Sequence, residues 1–106
     1  MFAMDSDNGK AYMGKNGTWA GSSNPATGSG GFDWNSNVTN LSTGDMLIPA
    51  FRLAYVSGND LYSNWGGYTV MSIASGNADA NGYGNFEYAP PSGYYAMCTK
   101  NLAEYG

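Results

Sequence analysis

Apolar and polar residues alternate from the start of the chain, and the alternation is interrupted by turn-forming pairs. Asn8-Gly9 most readily fills the two φ > 0 positions of a type I′ turn. With that turn in place, Asp7 faces Lys10, Asp5 faces Tyr12 and Met4 faces Met13. Phe2, Met4, Ala11 and Met13 then share one face of a hairpin, and Asp5, Asp7, Lys10 and Tyr12 share the other. The pattern predicts a half-buried strand pair with its apolar face inward. Asn16-Gly17 predicts a second turn, into Thr18-Trp19-Ala20.

Further along, 21–31 (GSSNPATGSGG) reads as a solvated loop broken by Pro25, with ligand contact as the alternative for so long a loop. Phe32-Asp33-Trp34 brings aromatics back, and 35–43 is polar and irregular. Met46 to Val56 is the most hydrophobic stretch and predicts a central strand, with Pro49 near its start, at a bulge or on an unpaired side. Leu61 to Trp65 and Tyr68 to Ala74 predict two more strands, separated by Gly66-Gly67. A loop over 75–84 contains Asn81-Gly82, Asn85 to Tyr88 is short and extended, Pro90-Pro91-Ser92-Gly93 is a rigid turn, and Tyr94 to Thr99 is a closing strand. Helical periodicity does not extend over ten residues anywhere. Glycine and proline punctuate the chain at the spacing of an all-β sandwich or barrel, in a single domain over 1–106.

Composition narrows the chemistry. Charged residues are 11% of 106, the formal charge is −4, and the four basic residues, Lys10, Lys15, Arg52 and Lys100, are scattered, so no phosphate-tracking surface is expected. Histidine is absent, which removes the commonest general base and transition-metal ligand. The single cysteine, Cys98, reads as a buried structural thiol. No run approaches the ~18 apolar residues of a membrane span. Asp5-Ser6-Asp7-Asn8-Gly9 resembles a calcium loop only superficially, because glycine comes one position early and Lys15 stands where the distal Glu belongs. Most of the eight acids lie in turn contexts, where Asp bonds its own backbone. With no Ser–His pair and no nucleophile elbow, catalysis is not expected, and neither is a cofactor. Asn16-Gly17-Thr18, Asn37-Val38-Thr39 and Asn40-Leu41-Ser42 match the glycosylation triplet, which an Asn- and Ser-rich chain meets by chance.

Aromatic residues carry more promise. Tyr55, Tyr62, Trp65, Tyr68, Tyr83, Tyr88, Tyr94 and Tyr95 are too many for the core of so small a domain. Tyr and Trp give large contact area at low rotameric cost, and with Ser, Gly and Asn they make adaptable binding loops. Covering the sheet edges with their polar tips in water is the plainer role for each.

Several blocks carry a family resemblance. Met4-Asp5-Ser6-Asp7-Asn8-Gly9-Lys10, then Tyr12 and Lys15-Asn16-Gly17, resembles the L-D-x-D-x-G … F-x-K-N-G hairpin of SPRY domains. Leu47-Ile48-Pro49-Ala50-Phe51 resembles that family's yfPav strand, Ser63-Asn64-Trp65-Gly66 its vNFG strand, and Ala89-Pro90-Pro91-Ser92-Gly93-Tyr94 its pPxGy turn. The segments 75–88 and 98–102 are similar to SPRY-type modules of bacteriophage structural proteins, many of them marine. The resemblance implies an antiparallel, concanavalin-like β-sandwich that binds other molecules through surface loops without catalysis. SPRY domains normally begin several strands earlier, so the fold is expected to be incomplete at its N-terminus.

The expectation is therefore a virion-borne binding or assembly module, in a tail fibre, capsid decoration or host-attachment device. Its partners would be other virion chains, its own copies, or a host-surface protein or glycan, with no nucleic acid and no membrane insertion. Self-assembly through Tyr-rich surfaces and carbohydrate binding are the rival readings. The chosen ligand-binding residues are Asn59, Asp60, Tyr62, Trp65, Asn81 and Tyr83, and Phe2, Met4 and Met13 are the chosen interface. The resemblance also implies a core position for Trp65.

Overall fold

The computed structural model describes residues 1–37, 50, 58, 62–67 and 72–105. Among them the architecture is β-rich, with one antiparallel sheet and little helix. Strand β1 (Phe2–Asp5) pairs with β2 (Lys10–Lys15), and β2 also pairs with β3 (Thr18–Trp19) and β4 (Phe32–Asp33).

The register of the first hairpin is Phe2↔Met13, Ala3↔Tyr12, Met4↔Ala11 and Asp5↔Lys10. It lies two residues from the predicted pairing, so Phe2, Met4, Ala11 and Met13 still share a face, but Asp7 leaves the predicted pair with Lys10 and falls in a longer loop. The Asp5 carboxylate causes this. Its Oδ1 accepts from the Asn8 backbone N–H at 3.0 Å and its Oδ2 from the Asn8 side-chain amide at 2.8 Å, winding Ser6 to Gly9 into a four-residue loop. Only Gly9 takes a positive φ there, at 67°, so a type I′ turn at Asn8-Gly9 does not form. That turn sits instead between Lys15 and Thr18, where Asn16 (φ 50°) and Gly17 (φ 79°) are both left-handed.

Burial corrects the hairpin expectation more sharply. Tyr12 is 0% exposed and Ala3 is buried, whereas Met13 is 60% exposed and Phe2 and Met4 are half-buried. The face bearing Ala3 and Tyr12 is the inner one. The Tyr12 ring fills the space that Gly31 leaves by having no side chain, and it meets Tyr94 edge-on, ring centroids 6.3 Å apart at 90°. Trp34 and Ala96 complete the buried apolar set among the described residues.

The segment after β3 is more ordered than a solvated loop. Two 3₁₀ turns, Ala20–Ser22 and Pro25–Thr27, fold it against the sheet; Ser23 and Pro25 are buried, and Lys10 Nζ donates to the Gly28 carbonyl at 2.6 Å. Asp33 then starts the short helix α1 (Trp34–Asn37), its carboxylate accepting from the Ser36 N–H and hydroxyl, both at 3.0 Å.

The second half departs from the predicted strands. Tyr62 to Trp65, Ser72 to Ala74 and Tyr94 to Met97 form no ladder. In place of a closing strand the chain ends in helix α2 (Thr99–Tyr105), which is too short for its periodicity to register in the sequence. The predicted central strand Met46 to Val56 lies outside the described residues except for Ala50, as do 68–71 of the strand before Ala74. The Pro-rich turn is as expected: the Tyr94 N–H donates to the Pro91 carbonyl at 3.0 Å and Gly93 has φ 84°.

Candidate functional site: an acidic groove lined with aromatics

Among the described residues of the second half, side chains more than strands hold the backbone, and the largest share falls to Asp79. It is 8% exposed. Its Oδ1 accepts from the Asn81 and Tyr83 N–H groups, both at 2.9 Å, and its Oδ2 from the Ala96 N–H at 2.8 Å and the Asn101 amide at 2.7 Å. Asn101 extends the network, donating to the Ala96 carbonyl at 2.9 Å and accepting from the Asn81 amide at 2.8 Å. Burial by itself would raise the Asp79 pKa, but the four N–H donors outweigh it and hold the carboxyl below the usual carboxylate range. Asp79 thus ties the 79–83 turn, the backbone at Ala96 and helix α2 to one point.

Two other side chains fix the neighbouring loops. The Asn77 amide donates to the carbonyls of Ser75, Phe86 and Glu87, beside a backbone bridge between Asn77 and Phe86. The Asn64 amide donates to the Asn85 carbonyl at 2.7 Å, while its Oδ1 accepts from the Gly66 N–H at 2.9 Å. Gly66 has φ 103°, and a Cβ there would stand 2.6 Å from that of Ala96. The 62–67 segment is thereby clamped onto the Asp79-centred half.

Between these loops and the hairpin runs a groove of about 1310 Å³. Tyr62, Trp65, Tyr88, Tyr95 and Tyr105 are exposed along it, Tyr62 at 54% and Trp65 at 36%. Its polar side is acidic, with Asp5, Asp7 and Glu87, and among the described residues its lining holds no lysine or arginine. Asp5 lies below the usual carboxylate range, chiefly because the Asn8 side chain and N–H donate to it. Glu87 Oε2 accepts from the Ala74 N–H at 2.7 Å.

Of the residues chosen from the sequence, Tyr62, Trp65, Phe2 and Met4 meet in this groove. Trp65 is a surface residue, not the core residue that the SPRY resemblance implies, and its indole N–H donates to the Ser63 hydroxyl at 3.2 Å. Met13, 60% exposed, is not among the residues that line the groove. Asn81 and Tyr83 lie elsewhere. Asn81 is engaged with Asn101, and the Tyr83 hydroxyl donates to Glu104 Oε2 at 2.7 Å under the Lys100 ammonium, 5.0 Å from the ring centre. The Glu104 bond pushes the Tyr83 pKa up to about 12. Asn59 and Asp60 lie outside the described residues. The acidic side of the groove was missed because Asp5 and Asp7 read as turn residues and Glu87 as part of an extended segment.

A second, smaller cavity of about 440 Å³ lies against helix α2, lined by Asn81, Ala96, Cys98 and the exposed Tyr95, Met97, Leu102 and Tyr105. Among the described residues, no cluster of three His, Cys, Asp or Glu side chains converges on a point where a metal could sit, and no helix is long and apolar enough to cross a membrane. No family model, curated protein or solved structure matches the chain.

Proposed function

We propose that the chain is a non-catalytic binding module of a phage or phage-like virion protein, built as a SPRY-like, concanavalin-type β-sandwich and docking other chains through its loops. The observation that carries the binding part is the groove, where five exposed aromatic rings line one trough. Large apolar rings grouped on a surface are the usual mark of an interaction site. The SPRY-like part rests on the sequence blocks from Met4 to Tyr94, and the phage assignment on the resemblance of 75–88 and 98–102 alone. Partners on this reading are other virion chains or a host-surface protein or glycan.

Self-association is the second reading, favoured by the exposed Tyr95, Met97, Leu102 and Tyr105 around helix α2. Retention of labelled protein on host cells or particles, lost on Tyr62→Ala and Tyr88→Ala without change in melting temperature, is the expected result for the binding module. Concentration-dependent oligomers in sedimentation, abolished by Leu102→Asp and unaffected by the groove variants, would transfer the function to the second reading.

A further inference from the structure

The groove combines two properties that select a ligand by charge. Five exposed aromatic side chains line it, and the acidic side chains beside them are Asp5, Asp7 and Glu87. The Met1 ammonium at its edge donates to the Gly14 carbonyl at 2.7 Å. Lys10, opposite Asp5 in the hairpin, sends its ammonium to the Gly28 carbonyl and offsets that charge only in part. Among the described residues the three carboxylates outnumber the Met1 ammonium in the lining, so an anionic ligand would meet net repulsion there. A cation would meet carboxylates and the negative faces of Tyr and Trp rings together, the arrangement that favours guanidinium and ammonium groups. The volume of about 1310 Å³ also exceeds the ~300–1,000 Å³ of small-molecule pockets, so the trough has room for a length of chain.

We infer that the groove takes an extended basic segment of a partner protein, its Arg or Lys side chains laid over Tyr62, Trp65 and Tyr88 and countered by Asp7 and Glu87. The inference rests on the binding-module reading and specifies its partner. Asp7 and Glu87 are the residues to alter, since Asp5 also holds the hairpin loop.

The test is titration calorimetry of the whole chain against four probes. These are 12-residue Gly-Ser peptides carrying three Arg, three Lys or three Glu, and chitohexaose as a neutral glycan. The Arg and Lys peptides are expected to bind at least about tenfold tighter than the Glu peptide, and to weaken about tenfold between 50 and 500 mM salt. The Asp7→Asn/Glu87→Gln double variant keeps the Ala74 hydrogen-bond acceptor, so it should melt as the parent does while losing about tenfold in affinity for the basic peptides. Equal binding of the Glu peptide, full affinity in the double variant, or no binding of any peptide overturns the inference. Salt-independent binding of chitohexaose, lost on Tyr62→Ala, overturns it too but leaves the binding module standing. Failure of that broader reading is seen separately, when groove variants leave retention on cells and particles unchanged.

Discussion

From Met1 to Asn37 the backbone bonds mainly to itself, through the ladders of β1, β2, β3 and β4. From Ser72 to Tyr105 the bonds that close the loops run largely to side chains, those of Asp79, Asn101, Asn77 and Asn64. The first region spreads its stability over many equivalent bonds, so each turn residue matters a little. The second concentrates it, so a few polar residues matter a great deal. Their carboxylates differ accordingly. Asp5 and Asp33 cap exposed turns locally, each bonding a residue three positions on, whereas buried Asp79 reaches Ala96 and Asn101 across 17 and 22 positions.

Tyr12 is where the two regions meet, and its loss should be the most damaging change. Tyr12→Ala removes the largest fully buried side chain among the described residues and its contact with Tyr94, at a cost of about 3–5 kcal/mol. Against a total of about 5–15 kcal/mol for such a domain, that leaves it close to unfolding. Urea denaturation measures the loss, and a cost under about 1 kcal/mol would mean that the Tyr12–Tyr94 contact does not join the two halves.

Asp79→Ala comes next, at about 3 kcal/mol, because four N–H donors are left in a buried place without an acceptor. Amide exchange locates the damage. The Ala96 and Tyr83 amides should lose protection while the Gly14 amide, which donates to the Met1 carbonyl, keeps most of its own. Equal loss at Gly14 would show one cooperative unit and erase the contrast between ladder-held and side-chain-held regions.

Acid should separate the regions without a mutation. The folded-state pKa of Asp79 is below its ordinary value of 3.8, so its stabilisation is present above about pH 4 and is lost as pH falls through the depressed value. Asp5 and Asp33 are lowered as well, but they stand in solvent, where the same protonation loosens only their own turns. Between pH 4 and pH 2, backbone amide shifts of Asn81, Tyr83 and Ala96 are expected to move together, ahead of those in β2. Simultaneous movement of the β2 amides would contradict this order.

These differences explain what the chain discloses before folding. Face-sharing in the hairpin follows from parity and was legible. Which face turns inward was not, because it depends on the Tyr12 ring meeting Gly31 and Tyr94, residues far along the chain. The three Asn-Gly pairs look alike in sequence, yet only Asn16-Gly17 has both residues left-handed, since Asp5 captures Asn8 and Asp79 accepts from the Asn81 N–H. Turn chemistry for Asp5, Asp33 and Asp79 as a class is legible in the sequence. That Asp79 is buried, and bonded to residues 17 and 22 positions away, is not encoded in any local pattern. The groove was half legible: the aromatic surplus pointed to Tyr62 and Trp65, while its acidic wall arises only when the hairpin loop and Glu87 face one trough.

The smallest effects distinguish the regions most finely, because two tyrosines share a raised pKa for different reasons. Tyr83 is pushed up to about 12 first by its hydrogen bond to Glu104, and Tyr94 to about 12 first by burial, with the Tyr12 hydroxyl and Asp5 adding to it. Both hydroxyl oxygens are buried without a partner in hydrogen-bonding geometry, and the nearby Tyr12 hydroxyl adds to the rise at Tyr94. Tyr12→Phe deletes one of these unpaired groups, so stability should change by less than about 1 kcal/mol, in the stabilising direction. It should lower the Tyr94 pKa only part of the way to 10, because burial persists. Glu104→Ala should instead return Tyr83 most of the way to 10 and leave Tyr94 untouched. Below pH 10 the Tyr83–Glu104 bond is intact, and it is lost as pH rises through about 12. NMR titration of the two rings resolves them. A Tyr94 pKa that falls fully to 10 in Tyr12→Phe would make the Tyr12 hydroxyl, not burial, the governing cause at the junction.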